Sequence, residues 1–329
     1  MGTDVALRFG LNAIFFTTVW ERVVLDILFV RDFAGFTGGH LKVLDYLWHT
    51  AASGLATPVL YLTPDSRTRT DNVFNGYSGH VIDHLRRFPA YFLAGEDWYI
   101  LENGGIDVGS APVVNLIQHP RHADRSGRLF DCLKRPAFRI CVSSAVADAV
   151  RPYANGEVLV ITNGVGVDLP PARRSLDQAA RILVAGLKNP QVAGEVANRL
   201  RPFAEVDLVI ENLPRQTFLE RIAAATACVF LPFEREGFFL PALEAMAIGS
   251  GVVVPDCAGN RAYARNDENC LMPEYNAEAL AAAAWTLVRD LEKLQRLCAL
   301  GKKTFAEHSL EKERSYYCAA LARYLERVR

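Results

Sequence analysis

The tightest constraint on how this chain can fold is the run Glu236-Gly-Phe-Phe-Leu-Pro-Ala-Leu-Glu244, set between Thr226-Ala-Cys-Val-Phe-Leu-Pro232 and Gly251-Val-Val-Val-Pro255. The two flanking runs are almost unbroken in apolar character and read as buried strands. Between them, Pro241-Ala-Leu-Glu-Ala-Met-Ala-Ile248 opens on a proline suited to a first helical turn, holds strong helix formers and stops at Gly249. Strand, loop, helix, strand is the repeating unit of a parallel α/β sheet, which binds ligands over the carboxyl ends of its strands. Glu236 and Gly237 fall in that loop and Glu244 about one turn into the helix, so both carboxylates can face one crevice. The backbone N–H groups at the helix start favour a phosphate there.

The stretch 214–280 contains Arg215-Gln-Thr-Phe-Leu-Glu-Arg-Ile222, Phe230-Leu-Pro-Phe-Glu-Arg-Glu-Gly-Phe238, the Glu236/Glu244 pair and Asn269-Cys-Leu-Met-Pro273. It closely resembles the C-terminal domain of retaining glycosyltransferases of the family-4 type. A lone Glu-x7-Glu is a weak signal; Gly after the first Glu, Pro five residues on and Glu-Ala-Met-Ala-x-Gly at the end make it specific. The resemblance implies an α/β protein of GT-B fold: two Rossmann-like domains whose parallel sheets face each other across a cleft. It also implies a nucleotide-diphosphate sugar as donor and a glycan or lipid-linked acceptor, in bacterial-type surface polysaccharide or glycoconjugate synthesis.

Length and composition agree with two domains. At 329 residues and 50% hydrophobic content the chain can bury two cores of ordinary size. A net charge of −1 argues against a general nucleic-acid binder, which would be strongly basic. Seven scattered cysteines, with no Cys-x-x-Cys pair, read as small core residues in a reducing compartment. The expected location is cytoplasmic, with peripheral contact at the cytoplasmic membrane, since no apolar run approaches the roughly 20 residues needed to span a bilayer.

Residues 1–24 precede the first strand, Asp26-Ile-Leu-Phe-Val-Arg31, and form an extension of open status. Positions 9–20 are too short to span and show no small-residue cleavage site, which disfavours a secretory signal. An interfacial anchor, a packing extension, and upstream sequence ahead of a start near Val23 or Val24 all fit.

Further along, Gly38 and Gly39 sit between that strand and an amphipathic helix from His40 to Thr50. Glycines in a βα loop let backbone approach a ligand. Strands are expected at 57–62, 98–101, 111–118, 138–143 and 158–162, where β-branched and apolar residues suit a buried parallel sheet. Asn163-Gly164-Val165, followed by Pro170-Pro171, is turn chemistry and places a hinge. The expected division is an acceptor domain over 25–164, a donor nucleotide-sugar domain over 165–308 that begins with a strand at 180–186, and a terminal helix at 309–329 crossing back to the first domain.

The resemblance assigns roles to particular residues. It makes Gly38 and Gly39 contacts with the donor diphosphate or the acceptor edge, and puts Lys188 on the donor phosphates, where charge develops on the departing nucleoside diphosphate. It sets Glu236 on the sugar hydroxyls and Glu244 on the ribose. Gly237, Phe238, Phe239 and Leu240 supply backbone contacts to the donor, the amides of Phe238 to Leu240 meeting the diphosphate. His119 touches the sugar near the reacting centre. Glu236, His119 and Lys188 are the catalytic candidates. Two positions depart from the family pattern: Leu187 stands where an arginine is common, with Arg235 either a substitute cation or an ordinary exposed arginine, and Phe239 replaces a glycine and adds bulk where a backbone amide meets the donor. Neither His119/His122 nor His80/His84 has the cysteine or carboxylate company of a zinc site, and the family holds the diphosphate with protein groups, so no metal or other cofactor is expected.

From 119 to 139 the chain carries six Lys or Arg against Asp124 and Asp131. With Arg86, Arg87 and the aromatics Phe88, Tyr91, Phe92, Phe130 and Phe138, this segment reads either as a dock for anionic lipid headgroups or as a solvated face. Two other functions stay open: a catalytically silent partner protein, which Leu187 and Phe239 would fit, and a nucleotide-sugar epimerase on the same plan.

Overall fold

The computed structural model describes residues 24–166, 168–173 and 180–328. Residues 1–23 of the expected extension 1–24 therefore lie outside the described residues. The first sheet has seven parallel strands: β1 (Leu25–Arg31), β2 (Ala56–Leu62), β3 (His80–Ile82), β4 (Ala90–Ala94), β5 (Val113–Ile117), β6 (Phe138–Cys141) and β7 (Val158–Val160). Their order is β3-β2-β1-β4-β5-β6-β7. β1 pairs β2 from Leu25↔Ala56 to Arg31↔Leu62 and β4 from Ile27↔Ala90, so the carboxyl ends of three central strands share one edge. The second sheet contains β8 (Arg181–Ala185), β9 (Glu205–Val209), β10 (Ala227–Phe230) and β11 (Gly251–Val253), in the order β11-β10-β8-β9. Two parallel sheets covered by helices are the architecture expected of the GT-B fold.

Central strands buried on both faces need apolar residues at every position rather than alternate ones. Ile27 to Val30 and Ala227 to Phe230 satisfy this with exposures of 0 or 1%. Edge strands escape the demand. β3 carries exposed His80 and Val81. β9 carries Asp207, which accepts from Arg221 at 3.0 Å and Arg181 at 3.3 Å. Neither edge has an apolar signature, and neither is foreseen from the sequence.

One expected strand is a helix. Residues 98–101 lie within the helix Asp97–Asn103, and the strand at this place in the sheet is β4, upstream. The cause is local: Gly95 adopts φ 57°, and the Asp97 carboxylate accepts from the Ala94 N–H at 2.8 Å, closing a tight turn after β4. Trp98 and Leu101, three apart, are then the buried positions of a helix face.

The expected lipid-docking surface also needs correction. Phe88, Tyr91, Phe92 and Phe138 are core residues with exposures of 6% or less. Arg139 is fully buried and donates to the carbonyls of Ala137, Cys132, Leu133 and Arg135 at 2.7–3.1 Å. Lys134 pairs with Asp131 at 2.8 Å and Arg135 with Glu102 at 2.5 Å. Three of the eight basic residues of that surface are thereby engaged, while Arg86, Arg87, Arg121, Arg125 and Arg128 are exposed. Among the described residues no helix is long and apolar enough to cross a bilayer.

The helix Leu310–Val328 packs against the first sheet, where Tyr317, Ala320, Leu321 and Leu325 join the core built on Phe29, Tyr46 and Phe92. Its Glu313 is buried and accepts from Lys42 Nζ at 2.5 Å and from the Gly164 N–H at 3.1 Å. Lys42 also donates to the Gly164 carbonyl at 3.1 Å and to Asp45 at 2.7 Å. Val165 pairs with this segment through the His308 carbonyl and the Leu310 N–H. One buried knot thus ties the helix Gly38–Ser53, the chain crossing between sheets and the terminal helix.

Removing one partner leaves a buried charge unpaired. Glu313→Ala is expected to cost about 3–5 kcal/mol, read as a lower midpoint of denaturant unfolding, whereas Lys42→Met combined with Glu313→Leu costs less than either single change. Neighbouring Lys42 and His49 hold the Glu313 carboxyl below its usual range against burial's upward push. Its stabilising contribution is therefore present above the unfolded carboxyl's pKa and is lost as pH falls through the folded one.

Candidate functional site

In a doubly wound sheet the crevice forms where successive strands depart to opposite sides. In the second sheet that point lies between β8 and β10, because β9 lies on one side of β8 and β11 on the far side of β10. The loop after β8 carries Lys188, and the loop after β10 carries Glu236. These side chains meet there: Lys188 Nζ donates to Glu236 Oε1. The same oxygen accepts from the Phe233 N–H at 3.1 Å. The Lys188 ammonium also lies 5.3 Å from the Phe239 ring centre and 5.5 Å from that of Phe233. Glu236 is 8% exposed, and its charge is held by a cation and a backbone donor.

The helix Leu240–Ile248 starts directly after this loop, with Pro241 in its first turn and Gly249 at φ 94° closing its end. Its first N–H groups have no intrahelical acceptor. Glu244, one turn in, is 2% exposed. Arg215 Nη2 stands 2.6 Å from Glu244 Oε1, an ionic contact without the alignment of a hydrogen bond, and that oxygen has no hydrogen bond among the described residues. Arg215 opens the helix Arg215–Ala224. Its place beside Glu244 is not foreseen from the sequence, where it figures only in the quoted run. Both line a cleft of about 330 Å³ with Leu41 and Asp45 from the first sheet's side, Gly164 from the crossing, and Leu310.

The opposite wall comes from the first sheet. His119 follows β5; its Nδ1 accepts from the Arg121 N–H at 3.0 Å. Burial, then Arg121, hold its imidazole below the ordinary histidine range, while Glu236 pulls the other way. Gly237 packs so closely on the loop before His119 that a Cβ there would stand 1.7 Å from the Gln118 carbonyl oxygen. Ser143 Oγ donates to the Gly237 carbonyl at 2.8 Å from the same side. A Cβ on Gly38 would lie 3.3 Å from Leu240, and one on Gly39 2.6 Å from Gln118 Oε1. His119, Lys188, Glu236, Gly237, Gly38, Gly39 and Leu240 are therefore brought to one seam between the sheets. Arg235 is exposed beside it.

Phe239 is placed differently from expectation. Its ring is 6% exposed and packs in the second core, 6.0 Å from Phe230, so its bulk points inward rather than at a ligand. Its N–H donates to the Gly259 carbonyl at 3.0 Å, which removes that amide from the donors available to a phosphate. Phe238 is half-buried against Tyr263 and His308. Leu187 is 51% exposed.

The first sheet has its own switch point, between β1 and β4, and sequence reasoning misses the cluster there. Arg31 Nη1 reaches both Asp97 carboxylate oxygens at 2.9 Å, and Nη2 lies 2.9 Å from His40 Nδ1. A guanidinium can only donate, so His40 Nδ1 accepts and the ring proton sits on Nε2. Burial, then Arg31, lower the His40 pKa to about 4, and burial raises that of Asp97 to about 6 despite Arg31. His122 is buried, with Nδ1 2.9 Å from the His119 carbonyl, and burial lowers its pKa to about 4. Among the described residues no three His, Cys, Asp or Glu side chains are grouped to hold a metal.

Residues 168–290 match a family model described as Glycosyl transferases group 1. The whole fold is similar to those of solved structures. Sucrose-phosphate synthase of Thermosynechococcus elongatus is 13% identical, with a TM-score of 0.72 over 93% of this chain and 100% of that one. A glycosyltransferase of Rickettsia africae is 13% identical, with a TM-score of 0.69 over 92% and 99%. HepE of Anabaena, captured with UDP-glucose, is 13% identical, with a TM-score of 0.71 over 91% and 99%. No curated protein matches the chain by sequence. The family match covers the part of the chain built on the second sheet, and the likeness to the solved structures is one of GT-B fold.

Two outcomes are expected. Gly237→Ala drives a methyl group into the Gln118 carbonyl and should part the two units, seen as a larger radius of gyration in small-angle scattering. With its pKa near 4, His40 stays neutral, so its ring nitrogens should keep the nitrogen-15 pattern of a neutral Nε2–H imidazole from pH 8 to pH 5; an imidazolium pattern appearing near pH 6.5 would contradict this.

Proposed function

We propose that the protein is a retaining glycosyltransferase of the family-4 type, moving a sugar from a nucleoside-diphosphate donor to a hydroxyl of a glycan or lipid-linked acceptor. The observation that carries this is the Glu244 carboxylate: buried in the wall of the cleft between the sheets, opposed by Arg215, with one oxygen outside any hydrogen bond among the described residues. A buried acceptor of that kind suits the hydroxyls of a donor ribose, which would satisfy it. Complexes of a protein of the same fold with UDP-glucose favour a nucleotide sugar as the ligand.

The diphosphate then lies at the start of the helix Leu240–Ile248, where the amide dipoles and Lys188 offset the charge that builds up as the leaving group departs. Lys188 is bound to Glu236 in the ligand-free site, and a phosphate would compete for it. Glu236, so released, orients the sugar hydroxyls, and His119 approaches from the opposite wall. The acceptor oxygen bonds to the anomeric carbon as the bond from that carbon to phosphate oxygen breaks. The acceptor proton passes to the departing phosphate oxygen on the same face, which retains configuration. Protein cations and amides hold the diphosphate, so the reaction is proposed to need no metal. Glu236 and Glu244 are not the nucleophile and acid/base of a retaining hydrolase, because each is committed to positioning. Surface polysaccharide or glycoconjugate synthesis, in the cytoplasm at the inner face of the membrane, is the proposed setting.

The deciding experiment incubates the protein with UDP-, GDP-, ADP- and dTDP-sugars without acceptor and follows nucleotide release and sugar-nucleotide identity by mass. Slow hydrolysis of one donor is expected, falling about 10- to 100-fold in Glu244→Ala through loss of a hydrogen bond to a charged group. Hydrolysis unchanged in that variant sinks the proposal. An isomerised donor would indicate an epimerase, and failure to bind any donor a silent partner.

A further inference from the structure

Two ion pairs stand in the candidate site, and they are built differently. Lys188 donates a hydrogen bond to Glu236 Oε1, and the same oxygen also accepts from the Phe233 N–H at 3.1 Å. The charge of Glu236 is therefore shared between two donors, and a phosphate can draw Lys188 away without leaving the carboxylate bare. Glu244 has no such reserve. Its side chain is 2% exposed, and among the described residues Arg215 alone stands within ion-pair distance, with Nη2 lying 2.6 Å from Oε1. That oxygen receives no hydrogen bond among the described residues.

Attraction between charges needs proximity alone, whereas a hydrogen bond needs alignment as well. Arg215 thus offsets the charge of Glu244 while its N–H stays out of line with the lone pairs of Oε1. Drawing Arg215 off to a phosphate would leave a buried carboxylate unpaired, which is strongly unfavourable. Arg215 is therefore held at Glu244 and does not serve as the second phosphate cation that Leu187 fails to supply. A guanidinium stays protonated at every working pH, so this compensation is constant. Arg215 is also the one cation among the described residues lining the cleft, against the carboxylates of Asp45, Asp168 and Glu244.

We propose that Arg215 is a positioning residue of the donor site, acting through Glu244. It keeps that carboxylate ionised in its buried place and leaves its hydrogen bonds to a ribose hydroxyl. An ionised carboxylate only accepts, which suits a hydroxyl donor; a protonated one gives one oxygen over to holding the proton. Arg215 thereby favours ribonucleotides over forms that lack the hydroxyl Glu244 receives, without itself contacting the nucleotide. This role rests on the reading of the cleft as a nucleotide-sugar site.

Calorimetric titration of the intact protein with UDP, GDP and ADP, and with the 2′-deoxy and 3′-deoxy forms of each, tests this. The best-bound ribonucleotide should bind about tenfold more tightly than at least one of its deoxy forms. Arg215→Met should remove most of that preference by weakening the ribo form about tenfold and the discriminated deoxy form much less. Arg215→Met combined with Glu244→Gln leaves no buried charge alone, so it keeps the test decisive where the single variant fails to fold. The double variant should bind the ribonucleotide as well as Glu244→Gln does, and circular dichroism checks that each variant is folded. Indifference of the unaltered protein to both hydroxyls, an affinity unchanged in Arg215→Met, an equal loss for ribo and deoxy forms, or a further loss in the double variant overturns the proposal. Each of these leaves nucleotide binding itself standing, whereas failure of every nucleotide to bind overturns the function proposed for the cleft together with this role of Arg215.

Discussion

The segment that crosses between the two sheets is held in place by a buried charge cluster. Lys42 and Glu313 lie deep in the protein, and both hold the backbone of Gly164, one by its carbonyl and the other by its N–H. Two charges in a dry interior attract strongly only when their remaining donors and acceptors are met, and Asp45 and the Gly164 peptide largely meet them. The knot fixes the crossing segment against the first and last helices. Leu41, Asp45, Gly164 and Leu310, from the same three segments, form one side of the cleft that contains Glu244.

Each half of the candidate site occupies a switch point, and the two are built on opposite electrostatic plans. In the second sheet Lys188 is paired with Glu236 and Arg215 with Glu244. In the first, Arg31 is committed to Asp97 and His40, leaving a neutral imidazole whose proton position is fixed by its neighbour. The seam between them is made by backbone: Gly237 against Gln118, and Ser143 against the Gly237 carbonyl. Contacts so close require glycine, because any side chain at 237 would occupy the space of the opposite main chain.

Much of this was legible in the chain itself. The central strands β1, β5, β8 and β10 follow from their unbroken apolar runs, whereas β4 was not expected, and the helix after Glu236 follows from Pro241 and Gly249. What was not legible was set by partners remote in sequence. Residues 98–101 have strand-like composition, yet Asp97 turns the chain into a helix by binding Ala94 and Arg31. The aromatics near 90 look like a membrane patch and are core, because β4 lies at the centre of the sheet. Edge strand β9 is acidic and hides its identity behind pairs with Arg181 and Arg221.

Local periodicity and turn chemistry determined the α/β class, the strand-loop-helix unit bearing Glu236 and Glu244, and the glycine-led turns, because each is settled by neighbours within a few residues. Only the tertiary structure decided that Arg215 faces Glu244, that Phe239 turns its ring inward and gives its N–H to Gly259, and that Arg139 is consumed by carbonyls. Burial and hydrogen-bond partnership are set by which segments the sheets bring together, and no local pattern records that.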